Sequence, residues 1–183
     1  MHGKFSANME SSEFLGFLKS RSSIRSYTGK KISQDEIRYL LEAATTCPSA
    51  GNREAWDIIV CQQEDLLEAI ADAAFDQQFI REAGTVFVIC ANYVRSMSRY
   101  GERGILYAVQ DATIAGTYMM LAAHVLRYAT CWIGAFDEDE IRELLSIPPH
   151  ARPVALLLIG EARERAGSPE RMPPHEHLHE DFW

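Results

Sequence analysis

Two short polar stretches hold the residue types best suited to binding a small ligand. The first, Arg21-Ser22-Ser23-Ile24-Arg25, places two arginines around two hydroxyls. Arginine offers a planar fork of donors that stays charged, and serine adds short neutral donors, so the set suits a phosphate-like anion. The second, Pro48-Ser49-Ala50-Gly51-Asn52, ends in an amide that can both donate and accept, as the edge of a heteroaromatic ring requires. Each stretch by itself is also typical of an exposed loop.

The elements that would position these stretches belong to one ordinary globular domain. The chain has 183 residues, of which 47% are hydrophobic, and this length is enough to bury a substantial core. Its formal net charge of −8 argues against nonspecific binding to nucleic acid, which needs a basic surface. A local arginine cluster can still bind a small anion.

The cysteines and the apolar runs indicate a protein of the cytoplasm. The four cysteines are widely spaced and form no Cys-x-x-Cys pair, which favours buried, reduced thiols over disulfides or a metal site. We find no secretory leader and no apolar run near the roughly 20 residues of a membrane span. The sequence therefore predicts a cytoplasmic protein without a membrane partner.

Apolar periodicity predicts an α+β fold with one sheet and five or six helices. A capping box, Ser33-Gln34-Asp35-Glu36, begins a helix, and Asp137 caps another. Strands are expected at 57–61, 86–91, 131–136 and 154–160, and further helices at 12–20, 66–74, 106–128 and 138–145. Because several strands are continuously apolar, helices should cover both faces of the sheet. The helix over 106–128 is apolar nearly all round, which favours a dimer interface.

Other motifs that could carry chemistry give little support for a site. The alternation His175-x-His177-x-His179 would place three imidazoles on one face of a strand, but it lies in a polar tail without an identifiable partner ligand, so we expect no metal. His124, within the predicted central helix, is expected to be a hydrogen-bonded core histidine. There is no Gly-x-Ser-x-Gly, no Walker lysine loop and no Gly-x-Gly-x-x-Gly.

Taken in order, the segments resemble the nitroreductase family of FMN-dependent oxidoreductases, over nearly the whole chain from Phe14 to Trp183. The matching pieces are 21–25, 48–52 with Trp56, 107–111, 121–124, 131–137, and 152–155 with the basic position at Arg171. The resemblance implies a nitroreductase-like fold in which helices flank an antiparallel-rich sheet. It also implies an intertwined homodimer with FMN at the subunit interface. We expect one domain over 1–183, with 1–10 lacking regular structure and 161–183 wrapping the partner subunit.

The resemblance also implies which residues bind FMN. Arg21, Ser23 and Arg25 would hold the phosphate and the polar edge of the flavin, with Ser22 at a position where many members have a second arginine. Arg171 would close on the phosphate, and Gln78 would make a further contact with the flavin.

The remaining flavin contacts implied by the resemblance come from two turns. Pro48, Ser49 and Asn52 would cover the flavin ring from the partner subunit. The turn at Gly134 and Ala135 would direct a backbone N–H at flavin N5, because glycine lets the main chain approach closely. No side chain is expected to act as a catalytic acid or base, since the flavin carries the chemistry.

The implied reaction takes hydride from NADH or NADPH to the flavin and passes it to a nitroaromatic, quinone or similar small acceptor by a ping-pong mechanism. Two alternatives remain. One is a reductive dehalogenase or flavin-degrading enzyme, for which 93–105 would be a short lid. The other is an FMN-binding protein without turnover. Its support is that Glu54 and Ala55 replace the usual Gln and Pro, and losing the proline is expected to loosen this turn.

Overall fold

The computed structural model describes residues 10–164, 167 and 169–183. Six α-helices are present there: α1 (Ser11–Ser20), α2 (Gln34–Thr45), α3 (Glu64–Ala73), α4 (Tyr93–Tyr100), α5 (Arg103–Val125) and α6 (Glu138–Leu144). The described strands are β1 (Trp56–Cys61), β2 (Val86–Asn92), β3 (Ala129–Ile133) and β4 (Ala151–Gly160). Short 3-10 helices lie at Ala50–Asn52, Gln78–Ile80 and Pro174–His177.

The four strands form one sheet in the order β1-β2-β4-β3, and every neighbouring pair is antiparallel. The two central strands are the most apolar, and all seven residues of β2 are buried. A central strand has neighbours on both edges and helices on both faces, so a continuous apolar run is stable there. The predicted α+β class with an antiparallel-rich sheet is confirmed.

Alternate residues of the central strands face two separate cores. On one face, Val88 and Leu156 pack with residues of α3 and α6, such as Ile70 and Ile141. On the other face, Phe87 packs with α2 and with the small residues of α5. Since side chains of a strand alternate between its faces, two helical layers are needed to bury both sets.

Helix α5 is buried along one stripe and exposed along another. Its buried residues are mostly small, among them Ala108, Ala112, Ala115 and Gly116. At Gly116 the helix approaches β3 so closely that an added Cβ would lie 2.8 Å from the Trp132 ring. Ile105, Leu106, Tyr118 and Val125 on the same helix are exposed.

Local sequence signals fixed several element ends correctly. Ser33 and Glu36 form the predicted capping box, in which Ser33 N donates to Glu36 Oε2 at 2.7 Å, and Asp137 Oδ1 accepts from Glu140 N at 2.9 Å. The prediction was wrong at the end of the long helix. Helix α5 stops at Val125 rather than Tyr128 because Arg127 adopts a left-handed conformation with φ of 65°.

The two ends of the chain bear on predictions that remain open. Of the stretch 1–10, expected to lack regular structure, only Glu10 lies within the described residues, and it caps α1. The described part of 161–183 is mostly exposed and contains one 3-10 turn. Within the described parts of the chain, no helix combines the length and hydropathy of a membrane span.

Candidate active site

The arginine segment, residues 21–25, lies alongside the edge strand β3 and runs in the same direction. Ser23 forms a parallel bridge with Thr130, and the Ile24 N–H donates to the Thr130 carbonyl at 3.0 Å. This register places Arg21 near the beginning of β3 and Arg25 toward its end. Burial raises the pKa of the Cys131 thiol between them, and the charges of Arg25 and Arg21 partly offset that effect.

At the end of β3, three predicted site segments converge. The Arg25 guanidinium lies 5.8 Å from the centroid of the Phe79 ring, adjacent in sequence to Gln78. Gln77 Nε2 donates to the Ala135 carbonyl at 2.9 Å, which ties the Gln78–Ile80 turn to the turn after β3. The structure thus brings Arg25, Gln78 and Ala135 into one neighbourhood.

The turn that follows β3 is open to a ligand. Gly134 and Ala135 are both exposed, and a Cβ added at Gly134 would meet no atom within 4 Å. Gln77, whose hydrogen bond fixes this turn, was not among the predicted site residues. Its only signal was an amide side chain within a polar run.

A cavity of about 500 Å³, here called the first cavity, lies at the other end of β3. Its walls come from the end of α1, the arginine segment, the end of α5 and the beginning of β3; they include Arg21, Ser22, His124, Arg127 and Thr130. His124 Nε2 lies 2.8 Å from Ser20 Oγ, so this histidine is hydrogen-bonded as expected, but it is half-buried in a cavity wall rather than in the core.

Pro48, Ser49 and Ala50 line a second cavity, of about 580 Å³, together with six residues of α5: Tyr107, Val109, Gln110, Asp111, Thr113 and Ile114. The buried Asp111 holds the segment at two points. Its Oδ1 accepts from the Ala50 N–H at 2.9 Å, and its Oδ2 accepts from the Ala55 N–H at 3.2 Å. Asn52 itself is exposed and has a positive φ of 56°.

Hydrogen bonds anchor the turn at Glu54 and Ala55. Ala55 donates to Asp111 an N–H that proline would lack, and the expected loosening of this turn stays a prediction. The Glu54 N–H donates to Ser49 Oγ at 3.1 Å, and the Glu54 carbonyl accepts from Arg95 at 3.0 Å. The Glu54 residue is exposed.

The two cavities do not merge within one chain. Among the described residues none lines both, and the wall residues on α5 that are nearest in sequence are Ile114 and His124. Ten residues of α-helix rise about 15 Å, so α5 alone separates these walls by roughly that distance. Pro48 and Ser49 therefore do not share the cavity that Arg21 and Ser22 line, and Asn52 lines neither cavity.

Two other predicted features, the basic position in the tail and the alternating histidines, lie outside both cavities. Arg171 lies in the exposed part of the tail and lines neither cavity. The three histidines at 175, 177 and 179 do not form a strand, because Pro174–His177 is a 3-10 helix. Among the residues that the structure describes, no group of three His, Cys, Asp or Glu could hold a metal.

The segment proposed as a lid is mostly helical, and the four cysteines are buried. Residues 93–105 form α4, a turn at Gly101 and the beginning of α5, and Arg95 Nη2 binds Asp57 Oδ1 of β1 at 2.7 Å. All four cysteines are buried and unbridged. Burial raises the pKa of Cys90 to about 12 and that of Cys61 to about 11, so these thiols stay protonated and do not act as nucleophiles.

The chain is similar to known flavin enzymes over most of its length. A sequence model described as the nitroreductase family matches residues 18–82 and 74–161. An FMN reductase [NAD(P)H] of Bacillus subtilis is 27% identical over 185 residues, covering 93% of this chain and 74% of the relative. An NADH dehydrogenase of Thermus thermophilus is 28% identical over 181 residues, covering 84% of this chain and 88% of the relative. The crystal structure of a nitroreductase family protein from Clostridium difficile superposes with a TM-score of 0.82 at 28% identity, covering 93% of this chain and 99% of that one.

Proposed function

Because the chain belongs to the nitroreductase family, we propose that it is an FMN-dependent oxidoreductase that takes hydride from NADH or NADPH. Relatives carry names such as FMN reductase [NAD(P)H] and FMN reductase (NADPH), which support this cofactor and these donors. The acceptor is a nitroaromatic, a quinone or a similar small molecule. The arrangement of the arginine segment along β3 is the single observation that carries the proposal.

The groups present fit an elongated ligand with a phosphate at one end. Along β3, the donors run from Arg21 beside the first cavity to Arg25 and the open turn at Gly134. Four extended residues span about 13 Å, which gives room for a sugar-phosphate chain and a ring system end to end. Thr130, in the cavity wall, has a buried hydroxyl for which the described residues supply no hydrogen-bond partner. The residues fit the cofactor.

FMN, when bound, supplies hydride acceptance and donation at N5. The chain's own groups would bind and orient it: Arg21, Ser22 and Ser23 at the phosphate, and Arg25 and Gln78 at the ring edge. The exposed backbone at Gly134 and Ala135 would approach the ring, where a fixed N–H donor tunes the electron affinity of a flavin.

We propose that a second copy of the chain completes the site. Pro48 and Ser49 line a cavity that α5 separates from the arginine segment of the same chain, so these two residues, with Asn52 in the adjoining turn, would act on the flavin of the partner. Exposed apolar residues on α5 and in the tail, among them Leu106, Phe182 and Trp183, support a homodimer, in which the tail over 161–183 would wrap the partner.

Mixed variants test this shared site. Arg25→Ala and Asn52→Ala homodimers should each bind FMN weakly. If the site is shared, refolding a mixture of the two should restore one intact site in every heterodimer. If the refolded mixture binds FMN as weakly as the two variants alone, the shared arrangement is wrong.

The proposed reaction uses one open pocket for two substrates in turn. Donor and acceptor would occupy the same flavin face at Gly134, one after the other. Steady-state rates should then give parallel double-reciprocal lines. Intersecting lines would contradict alternating occupancy.

An absorption spectrum of the purified protein, followed by anaerobic addition of NADH and then NADPH, tests the proposed function. Flavin bands that bleach on addition would support the cofactor and identify the donor. Protein that stays colourless after incubation with FMN would refute the cofactor assignment, and protein that keeps FMN but is bleached by neither nucleotide would refute the oxidoreductase activity.

A further inference from the structure

Helix α5 ends in a turn where an arginine occupies a position that favours glycine. The Tyr128 N–H donates to the Ala123 carbonyl and the Arg127 N–H donates to the His124 carbonyl, each at 3.0 Å. This pattern is a Schellman motif, whose left-handed residue is usually glycine because it has no Cβ. Arg127 holds this conformation with φ of 65°. Strain of this kind commonly accompanies a functional side chain.

Arg127 is exposed and lines the first cavity. Arg21 lines the same cavity, so two arginines border one space of about 500 Å³. Two like charges at one cavity repel each other, and an anion bound between them removes that repulsion. Thr130, in the same wall, is only 1% exposed, and its hydroxyl has no hydrogen-bond partner in the described part of the chain.

Two carboxylates near this end of the cavity are engaged elsewhere. Glu36 and Glu161 are the acidic groups whose charges act on Tyr128. Glu36 accepts the Tyr128 hydroxyl at 2.6 Å and also closes the capping box of α2. Glu161 lies 3.7 Å from the Lys30 ammonium. Because Tyr128 and Lys30 already bind these two carboxylates, Arg21 and Arg127 favour an anion from outside the chain.

We propose that Arg127 binds the phosphate of FMN together with Arg21, in the first cavity. The inference rests on the proposed function, and it adds a phosphate ligand from the end of α5. The direction of the arginine segment supports it, because the flavin ring would lie at Gly134 and the phosphate at the opposite end of β3. Arginine suits this role because its fork of donors binds phosphate oxygens in pairs.

Binding to the cofactor-free protein tests the assignment. Fluorescence titration with FMN and with riboflavin, which lacks the phosphate, would compare wild type, Arg127→Gly and Arg127→Lys. Arg127→Gly should raise the FMN dissociation constant about tenfold, the effect of losing one charge-assisted contact, and leave riboflavin binding unchanged. Arg127→Lys keeps the charge but loses the paired donors, so its FMN affinity should lie between those of wild type and Arg127→Gly. Arg38→Ala, which removes one exposed charge on α2, serves as the matched control.

The glycine variant separates binding from folding. Because glycine suits the left-handed turn, Arg127→Gly should have a thermal midpoint at or above that of wild type while it binds FMN more weakly. Equal losses for FMN and riboflavin would indicate a structural role and overturn the assignment.

Two further outcomes distinguish the proposals. Wild-type affinity in Arg127→Gly would overturn the role of Arg127 and leave the proposed function intact, whereas wild-type protein that does not bind FMN would overturn both. A second phosphate source is the 2′-phosphate of NADPH. If Arg127→Gly raises the KM for NADPH but not for NADH, with FMN binding unchanged, the side chain serves the donor and the assignment is wrong.

Discussion

Removing the carboxylate of Asp111 should release the segment that lines the second cavity. Asp111 is 2% exposed, and it accepts one hydrogen bond from each end of the stretch between Ala50 and Ala55. Asp111→Ala leaves both N–H donors without this acceptor, and the Ala55 donor is fully buried. A hydrogen bond to a charged group contributes about 1.5–3 kcal/mol, and relief of carboxylate desolvation offsets part of the loss. We therefore expect destabilisation of about 3 kcal/mol.

The asparagine variant should lose less stability than the alanine variant, and it provides a comparison between alanine and wild type. Asp111→Asn keeps the shape and one oxygen acceptor, so it should lose one contact and destabilise by about 1.5 kcal/mol. Thr113→Ala, on the same helix two residues later, removes only an exposed hydroxyl bonded within the helix and should stay within about 0.5 kcal/mol.

Urea unfolding at matched protein concentration would measure these differences. The alanine variant should lower the thermal midpoint by about 6–12 °C, given 2–4 °C per kcal/mol for a domain of this size. Amide exchange at Ala50 and Ala55 should accelerate in the same order as the stability losses. Equal stability of Asp111→Ala and wild type, or unchanged exchange at both amides, would refute the anchoring role.

Three further predictions concern packing, ionisation and the open turn. Tyr128→Phe removes the hydroxyl whose hydrogen bond is the largest cause of the lowered pKa of Glu36. Because this carboxyl is more acidic in the folded state, the stability advantage of wild type over the variant should be full at pH 7 and should shrink as the pH falls below about 4. Acid unfolding of both proteins would measure it. Gly116→Ala should destabilise by about 1–3 kcal/mol because its Cβ would lie 2.8 Å from an indole carbon, whereas Gly16→Ala, in open space on α1, should be neutral or stabilising in thermal melts. Gly134→Leu should change stability by less than about 0.5 kcal/mol yet weaken FMN binding in titrations, and unchanged affinity would count against a flavin at this turn.

Much of the fold could be predicted because it depends on short-range patterns. The continuous apolar run of β2 indicated a strand buried on both faces, and the capping box at Ser33 and Glu36 located the beginning of α2. These signals arise from burial and from hydrogen bonds between residues three positions apart, so they can be recognised in short stretches of the sequence. The end of α5 was placed three residues too late because nothing local in Arg127 signals a left-handed turn.

The candidate site could be predicted in part, for a different reason. Arg21 and Arg25 were identifiable because paired arginines and hydroxyls suit an anion wherever they lie. Their direction along β3 was not, since it follows from a bridge between Ser23 and Thr130 that joins distant parts of the chain. The roles of Asp111 and Gln77 escaped for the same reason, as each bonds a backbone group more than fifty residues away.

The sequence by itself determined which residues carry charge and hydrogen-bonding capacity, which segments are apolar enough to form the sheet, and the resemblance to a flavin-binding family. Tertiary structure alone decided that Arg21 and the Pro48–Ala50 stretch line separate cavities of one chain, and that Arg127 lines the same cavity as Arg21. The physical reason is that residue chemistry and periodicity are local properties. The separation of the two cavities along α5, and the presence of two arginines at one cavity, depend on contacts between residues that are far apart in the sequence.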